Sequence, residues 1–159
     1  MEELKVRRVV TGHDENGNAT IKIDDTVTGI KPTEDASLAL VWSTDAFPSD
    51  NTDEFDGAKR KVGLTSPGGT VLRFVDFYPG NNKFMHRTQS IDYGIVIEGE
   101  IELELDNGVT AQLKAGEVVV QRGTIHSWNN KTDKTCRMAF VLIEAEKVKI
   151  GNQTLEPTD

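Results

Sequence analysis

The chain is poor in cysteine, in aromatic residues and in long apolar runs, and each shortage narrows the possible functions. Its single cysteine, Cys136, cannot form an intrachain disulfide, which favours a reducing compartment. No apolar run approaches the ~20 residues of a membrane-spanning helix, and the N-terminus lacks the apolar core of a secretory signal. We therefore expect a cytoplasmic protein without a membrane partner, in which Cys136 is a buried packing residue.

Basic residues are outnumbered by acidic ones. The 159 residues include 18 Lys and Arg against 26 Asp and Glu, for a formal net charge of −8. An acidic surface repels the phosphates of a nucleic acid, so nucleic-acid binding is not expected. The length suits one domain with a sizeable core. The expected partner is a small molecule.

The sequence consists of short apolar and β-branched runs separated by Gly, Asn, Asp and Pro, a pattern typical of strands joined by turns. Asn16-Gly17 predicts a hairpin turn, and the alternation over Glu100 to Leu105 predicts a strand with one wet face and one buried face. Strands are predicted at 6–11, 20–24, 38–42, 71–78, 93–98, 100–105, 109–113, 117–121 and 137–143. The pattern predicts an all-β sandwich or barrel without choosing between a jelly roll and an immunoglobulin-like sandwich.

The segment from 80 to 99, GNNKFMHRTQSIDYGIVIEG, resembles the first cupin motif. In that motif a glycine is followed after five residues by His-x-His, then by an acid and a second glycine. His86 stands in register with the first histidine and Asp92 with the acid. Thr88 occupies the place of the second histidine.

The segment from 116 to 130, GEVVVQRGTIHSWNN, resembles the second cupin motif through Gly123, His126 and Asn130. The resemblance implies an antiparallel cupin β-barrel (a double-stranded β-helix or jelly roll) with an N-terminal strand extension. It further implies N-terminal strands and a long loop over 1–66, a barrel core over 67–150 and a flexible tail over 151–159, all in one domain. The polar stretch from 43 to 63 is long enough to serve as a lid.

Strand geometry agrees with this placement. Side chains alternate along a strand, so His86 and Thr88 point the same way, which in a cupin barrel is inward. His126 comes from a strand across the barrel and can meet His86, and Trp128 shares the face of His126. Phe84 is a further candidate for the pocket wall.

Two other aromatic residues are candidates for contact with the substrate. Residue parity does not decide whether Tyr93 faces the pocket. Trp42 borders the long loop.

The resemblance leaves two alternatives for the chemistry. In the first, His86, Asp92 and His126 hold one divalent transition metal of unidentified kind, as imidazoles and a carboxylate do in facial triads. Thr88 is a poor ligand for such an ion. In the second there is no metal: His86 or His126 shuttles a proton near neutral pH, Asp92 orients one imidazole, and Thr88 hydrogen-bonds the substrate.

The leading hypothesis is a small-molecule enzyme of secondary metabolism, specifically a lyase. It would be a dehydratase or decarboxylase of an organic acid or polyketide-like substrate, with His86 and His126 as acid–base catalysts. One alternative is a metal-dependent oxygenase or isomerase that uses His86, Asp92 and His126. Another is a cupin that binds a ligand without turnover. The resemblance also implies a homodimer that pairs through the N-terminal strands.

Overall fold

The computed structural model describes residues 3–158 and confirms an all-β fold. The strands are β1 (Lys5–His13), β2 (Ala19–Thr28), β3 (Ala36–Ser43), β4 (Thr70–Phe77), β5 (Ser90–Glu98), β6 (Glu100–Glu104), β7 (Thr110–Lys114), β8 (Val118–Arg122), β9 (Ser127–Asn129), β10 (Cys136–Glu144), β11 (Val148–Ile150) and β12 (Gln153–Leu155). Short 3-10 turns lie at Gly57–Lys59 and Asp106–Gly108. Each strand predicted from the sequence is present, and β9, β11 and β12 are additional.

Two antiparallel sheets form the barrel. One has the strand order β3-β4-β10-β5-β8, and the other has the order β7-β6-β9. The chain passes from the first sheet to the second between β5 and β6, through Gly99 with φ 86°. A Cβ at this glycine would lie 2.7 Å from a backbone carbonyl oxygen, so both the conformation and the space require glycine.

The core lies between these sheets. Val71, Val75 and Phe140 come from the larger sheet, and Ile101 and Trp128 come from the smaller one. The predicted alternation on β6 holds for its apolar residues, which are buried.

The prediction that the glutamates of β6 face solvent is wrong at Glu102, which is only 8% exposed. Its carboxylate is compensated by the amides of Asn129 and Gln112 and by Lys131, whose Nζ lies 3.0 Å away. These partners replace the water that the carboxylate loses on burial.

The strands β1 and β2 form a hairpin that pairs only with itself. Its predicted turn is present, with Gly17 at φ 79°. Buried Arg8 connects the hairpin to the rest of the chain, because its guanidinium bonds the carboxylate of Asp56 and the carbonyl oxygen of Val41, as well as Asp25 within the hairpin. Asp56 lies in the long connection between β3 and β4, which is mostly loop, as expected. A lid role for this loop stays a prediction.

The segment predicted as a flexible tail contains β12 and a bridge from Thr158 to Arg87, and its flexibility stays a prediction. Its strand β12 pairs with β11, and the backbone of Thr158 exchanges two hydrogen bonds with that of Arg87. The three-residue strands are too short to show a period in the sequence. Asp159 lies outside the described residues. The helical turns over 3–158 are too short to cross a bilayer.

Candidate functional site

His86 and His126 are brought side by side. The segment before β5 and the segment before β9 meet in an isolated antiparallel bridge between these two residues. Each backbone N–H donates to the other residue's carbonyl at 2.9 Å. The ring centroids lie 4.4 Å apart with the planes inclined by 48°.

Backbone carbonyls orient both imidazoles. His86 Nδ1 lies 3.0 Å from the carbonyl oxygen of Phe84, and His126 Nδ1 lies 2.8 Å from that of Thr124. A carbonyl oxygen only accepts, so in each neutral ring we assign the proton to Nδ1. The Nε2 lone pairs are then available to a substrate proton or to a ligand.

The two histidines differ in their surroundings. His126 is 2% exposed, and its ring contacts the edge of Trp128 with the centroids 6.0 Å apart. This burial, with a smaller contribution from His86, lowers the pKa of His126 to about 4, so its imidazole is neutral at pH 7. His86 is only partly buried and stacks on the half-exposed ring of Phe84. The expectation of a titration near neutral pH therefore fails for His126.

Behind His86 lies a buried network of Thr88, Ser90 and Asp92. The Ser90 hydroxyl donates to Asp92 Oδ1 at 2.5 Å and lies 2.9 Å from the Thr88 hydroxyl. Burial raises the pKa of the Asp92 carboxyl, although the hydrogen bonds from Ser90 and Thr88 oppose this effect. Backbone carbonyls lie next to both Nδ1 atoms, so Asp92 does not orient an imidazole through Nδ1, and a role for it through Nε2 stays a prediction.

Gln121 is a site residue that the sequence did not reveal. It lies on β8 directly opposite Asp92 and is 3% exposed. Its Oε1 accepts from the Thr124 hydroxyl, but its Nε2 has no hydrogen-bond partner within residues 3–158. A buried donor without a partner costs about 1–3 kcal/mol. Its amide can donate to an oxygen atom of a bound ligand.

The aromatic candidates divide into two groups. Trp128 is buried in the barrel interior, and Phe84 covers His86. Tyr93 alternates with the inward Asp92 and points away from the histidines, with 38% of its surface exposed. Trp42 lines a separate groove beside the N-terminal hairpin. The structure thus does not bring Tyr93 or Trp42 to the histidine pair.

The donor set fits a metal ion only in part. The Nε2 atoms of His86 and His126, which have no hydrogen-bond partner within residues 3–158, are the two that would bind one. However, the described part of the chain contains no group of three His, Cys, Asp or Glu side chains placed to hold an ion. Asp92 is engaged by the Ser90 and Thr88 hydroxyls, and Thr88 stands where a cupin motif has its second histidine. No chemical step is therefore derived through a metal.

The fold and the site define a cupin. A family profile described as a cupin domain matches residues 73–143. The chain is 34% identical to the oryzines biosynthesis cluster protein J of Aspergillus oryzae, over 95% of this chain and 89% of that protein. It is 32% identical to the cupin-domain-containing oxidoreductase srdB of Neurospora crassa, over 94% of this chain and 79% of that protein. The chain therefore belongs to the cupin family.

A more similar stretch matches the phomopsin biosynthesis cluster protein C′ of Diaporthe leptostromiformis. The identity is 44% over 73% of this chain, and the match spans only 65% of that protein's length.

Solved structures at lower identity share the fold alone. The polyketide cyclase RemF from Streptomyces resistomycificus is 22% identical with a TM-score of 0.51, over 73% of this chain and 72% of that one. Ectoine synthase from P. lautus is 15% identical with a TM-score of 0.51, over 74% of this chain and 70% of that one.

Proposed function

We propose that this cupin is an enzyme of secondary metabolism, a dehydratase or decarboxylase that moves protons with His86 and His126. The observation that carries the proposal is the pair of adjacent imidazoles whose Nε2 atoms are free and whose Nδ1 atoms are fixed by the backbone. The biosynthesis-cluster names of two of the relatives support the metabolic setting.

The two histidines suit different parts of a dehydration. His126 is neutral at pH 7, so its Nε2 accepts a hydrogen bond from a substrate hydroxyl and holds it in place. His86 is more exposed to solvent, and its Nε2 takes the proton from an acidic C–H group. The same proton then passes to the hydroxyl, which leaves as water, so that His86 returns to its starting state. The Gln121 amide donates to the oxygen on which negative charge develops.

The test is the metabolite profile of a producing strain. We expect His86→Ala and His126→Ala to abolish product formation and to accumulate a precursor that is heavier by one water for a dehydratase, or by one carbon dioxide for a decarboxylase. Tyr93→Phe is the matched control, because Tyr93 points away from the site. Full turnover in both histidine variants would show that this mechanism is wrong.

The second candidate is a metal-dependent oxygenase or other oxidoreductase. It is favoured by the names of relatives described as cupin-domain-containing oxidoreductases and by the two free Nε2 atoms. Elemental analysis of untagged protein, purified without chelator, tests it. About one equivalent of a transition metal that is lost in His86→Ala but kept in His13→Ala would favour this candidate. No binding of Fe, Mn, Ni or Zn would favour proton transfer.

A homodimer is proposed on separate grounds. The N-terminal hairpin exposes Val9 and Ile21, which are 47% and 55% accessible. A groove of about 770 Å³ lies between this hairpin, β3 and the long loop. Val9 lines this groove, and a second copy that pairs with the outer face of the hairpin would cover both apolar side chains. We expect a dimeric mass in solution scattering and a monomeric mass for Val9→Asp/Ile21→Asp. A monomeric mass of the wild-type protein at micromolar concentration would contradict the pairing.

A further inference from the structure

Arg73 places a guanidinium group on the inner face of the barrel. The register of β4 sets it opposite Phe140 of β10 and Leu40 of β3. Phe140 belongs to the core, and Leu40 packs against that core. Arg73 is only 9% exposed.

Among residues 3–158, the guanidinium of Arg73 contacts only backbone acceptors. Its Nη1 and Nη2 donate to the backbone carbonyls of Leu64 and Gly63, at 3.1 and 2.8 Å. A guanidinium carries more N–H donors than these two bonds use. Within residues 3–158 no carboxylate lies in ion-pair or hydrogen-bond contact with it. Burial alone lowers the pKa of Arg73, with no opposing charge to offset it.

Two other buried or half-buried arginines have carboxylate partners, whereas half-buried Arg87 donates to the backbone carbonyls of Gly123 and Glu156. Arg8 bonds the carboxylates of Asp25 and Asp56, and Arg137 forms a two-bond pair with Asp76 at 2.7 and 2.9 Å. An unpaired cation in the interior is unfavourable by several kcal/mol. Arg73 is therefore a position at which an anion from outside the chain would be stabilising.

A series of aromatic contacts runs from the neighbour of Arg73 to the histidine pair. Phe140, the neighbour of Arg73, packs on Trp128 with ring centroids 5.5 Å apart. Trp128 in turn contacts His126, with centroids 6.0 Å apart. A ligand that lies along Phe140 and Trp128 thus has the guanidinium at one end and the imidazoles at the other.

We propose that Arg73 binds a carboxylate of the substrate, so that this cupin acts on organic acids. The planar guanidinium matches a carboxylate through two parallel hydrogen bonds. The inference rests on the proposed function in one respect, since the same barrel interior holds the substrate. In the opposing interpretation, Arg73 only braces the loop at 63–64 against β4.

The test compares carboxylates with their neutral amides. A panel from acetate and acetamide to 4-fluorobenzoate and 4-fluorobenzamide is titrated by calorimetry and, for the fluorinated pair, by ¹⁹F NMR. We expect at least one carboxylate to bind wild-type protein more tightly than its amide. Arg73→Gln should weaken that carboxylate at least about thirtyfold, as expected when a buried charge pair loses one member, and leave the amide unchanged. Arg122→Gln, at an exposed arginine, is the matched control.

Two further variants keep the proposal falsifiable if Arg73→Gln does not fold. Arg73→Lys retains the positive charge but lacks the planar guanidinium that makes two parallel hydrogen bonds. It should therefore keep the carboxylate preference at reduced affinity. Arg73→Met should lose the preference. No preference for any carboxylate in the wild-type protein, or a preference that persists in Arg73→Gln or Arg73→Met, would overturn the proposal.

The histidine variants separate this proposal from the proposed function. His86→Ala and His126→Ala should retain the carboxylate preference that Arg73→Gln loses. If they retain it and also turn over normally, the acid–base mechanism fails while the role of Arg73 stands. If they are inactive and Arg73→Gln still prefers the carboxylate, the role of Arg73 fails while the mechanism stands.

Discussion

Acidification should destabilise the protein through His126. The pKa of this histidine is lowered from 6.5 to about 4 in the folded state, chiefly by burial. Between pH 6.5 and about 4, the His126 imidazole is mostly protonated in the unfolded chain and mostly neutral in the folded chain. The stabilising contribution is therefore complete above the unfolded pKa and is lost as the pH falls toward the folded pKa.

The size of this effect follows from the shift. Each unit of difference in pKa is worth about 1.4 kcal/mol, so the whole contribution is about 3 kcal/mol. Between pH 8 and pH 5 the protonation balance removes about 2 kcal/mol from the free energy of unfolding. This is a large fraction of the roughly 5–15 kcal/mol that holds a typical domain folded.

The measurement is urea unfolding of wild-type protein and of His126→Gln at pH 8, 7, 6 and 5, in the presence of a chelator. The difference between the two free energies isolates His126, because groups that titrate identically in both proteins cancel. His13→Gln, at the exposed end of β1, is the matched control and should track the wild type.

We expect the advantage of the wild type over His126→Gln to shrink by about 2 kcal/mol from pH 8 to pH 5. A difference that stays constant over this range would contradict a lowered pKa of His126. It would mean that the His126 ring has the same proton affinity in the folded and unfolded states, and thus that it is solvated.

Four further predictions concern ion pairs, close backbone packing and burial. Asp76→Asn breaks the pair with Arg137 at a carboxylate that is 1% exposed, so it should cost about 3 kcal/mol in urea unfolding. Asp45→Asn, at an ion pair whose carboxylate side chain is 62% exposed, should cost less than about 1 kcal/mol. Gly69→Ala would place a Cβ 1.9 Å from a backbone carbonyl oxygen and should lower the thermal midpoint, since overpacking costs about 1–3 kcal/mol. Burial raises the pKa of the Cys136 thiol to about 12, so a thiol reagent should label it only in denaturant, and rapid labelling of native protein would contradict its burial.

Sequence reasoning predicted features that depend on local pattern. Alternating and β-branched runs predicted the long strands, because a half-buried strand repeats every two residues. The motif spacing predicted the cupin barrel. Asn16-Gly17 predicted a hairpin, because its backbone conformation is one that few other residues adopt.

The features that were missed depend on strand register, which sequence alone does not determine. Tyr93 faces outward because its neighbours on β5 face the interior, and a shift of one residue would have reversed this. Arg73 and Gln121 look like ordinary surface residues within apolar strands. Only the pairing of β4 with β10 and of β8 with β5 shows that both face the interior.

The hydrogen bonds that join residues 86 and 126 are made entirely by the main chain. Any residue except proline can supply the same N–H and C=O groups, so the side chains here can change without loss of this connection between the two sheets. The side chains at positions 86 and 126 can thus change without altering the main-chain hydrogen bonds that join the two segments. A substitution at position 86 or 126 can therefore remove an imidazole and leave the two main-chain hydrogen bonds in place.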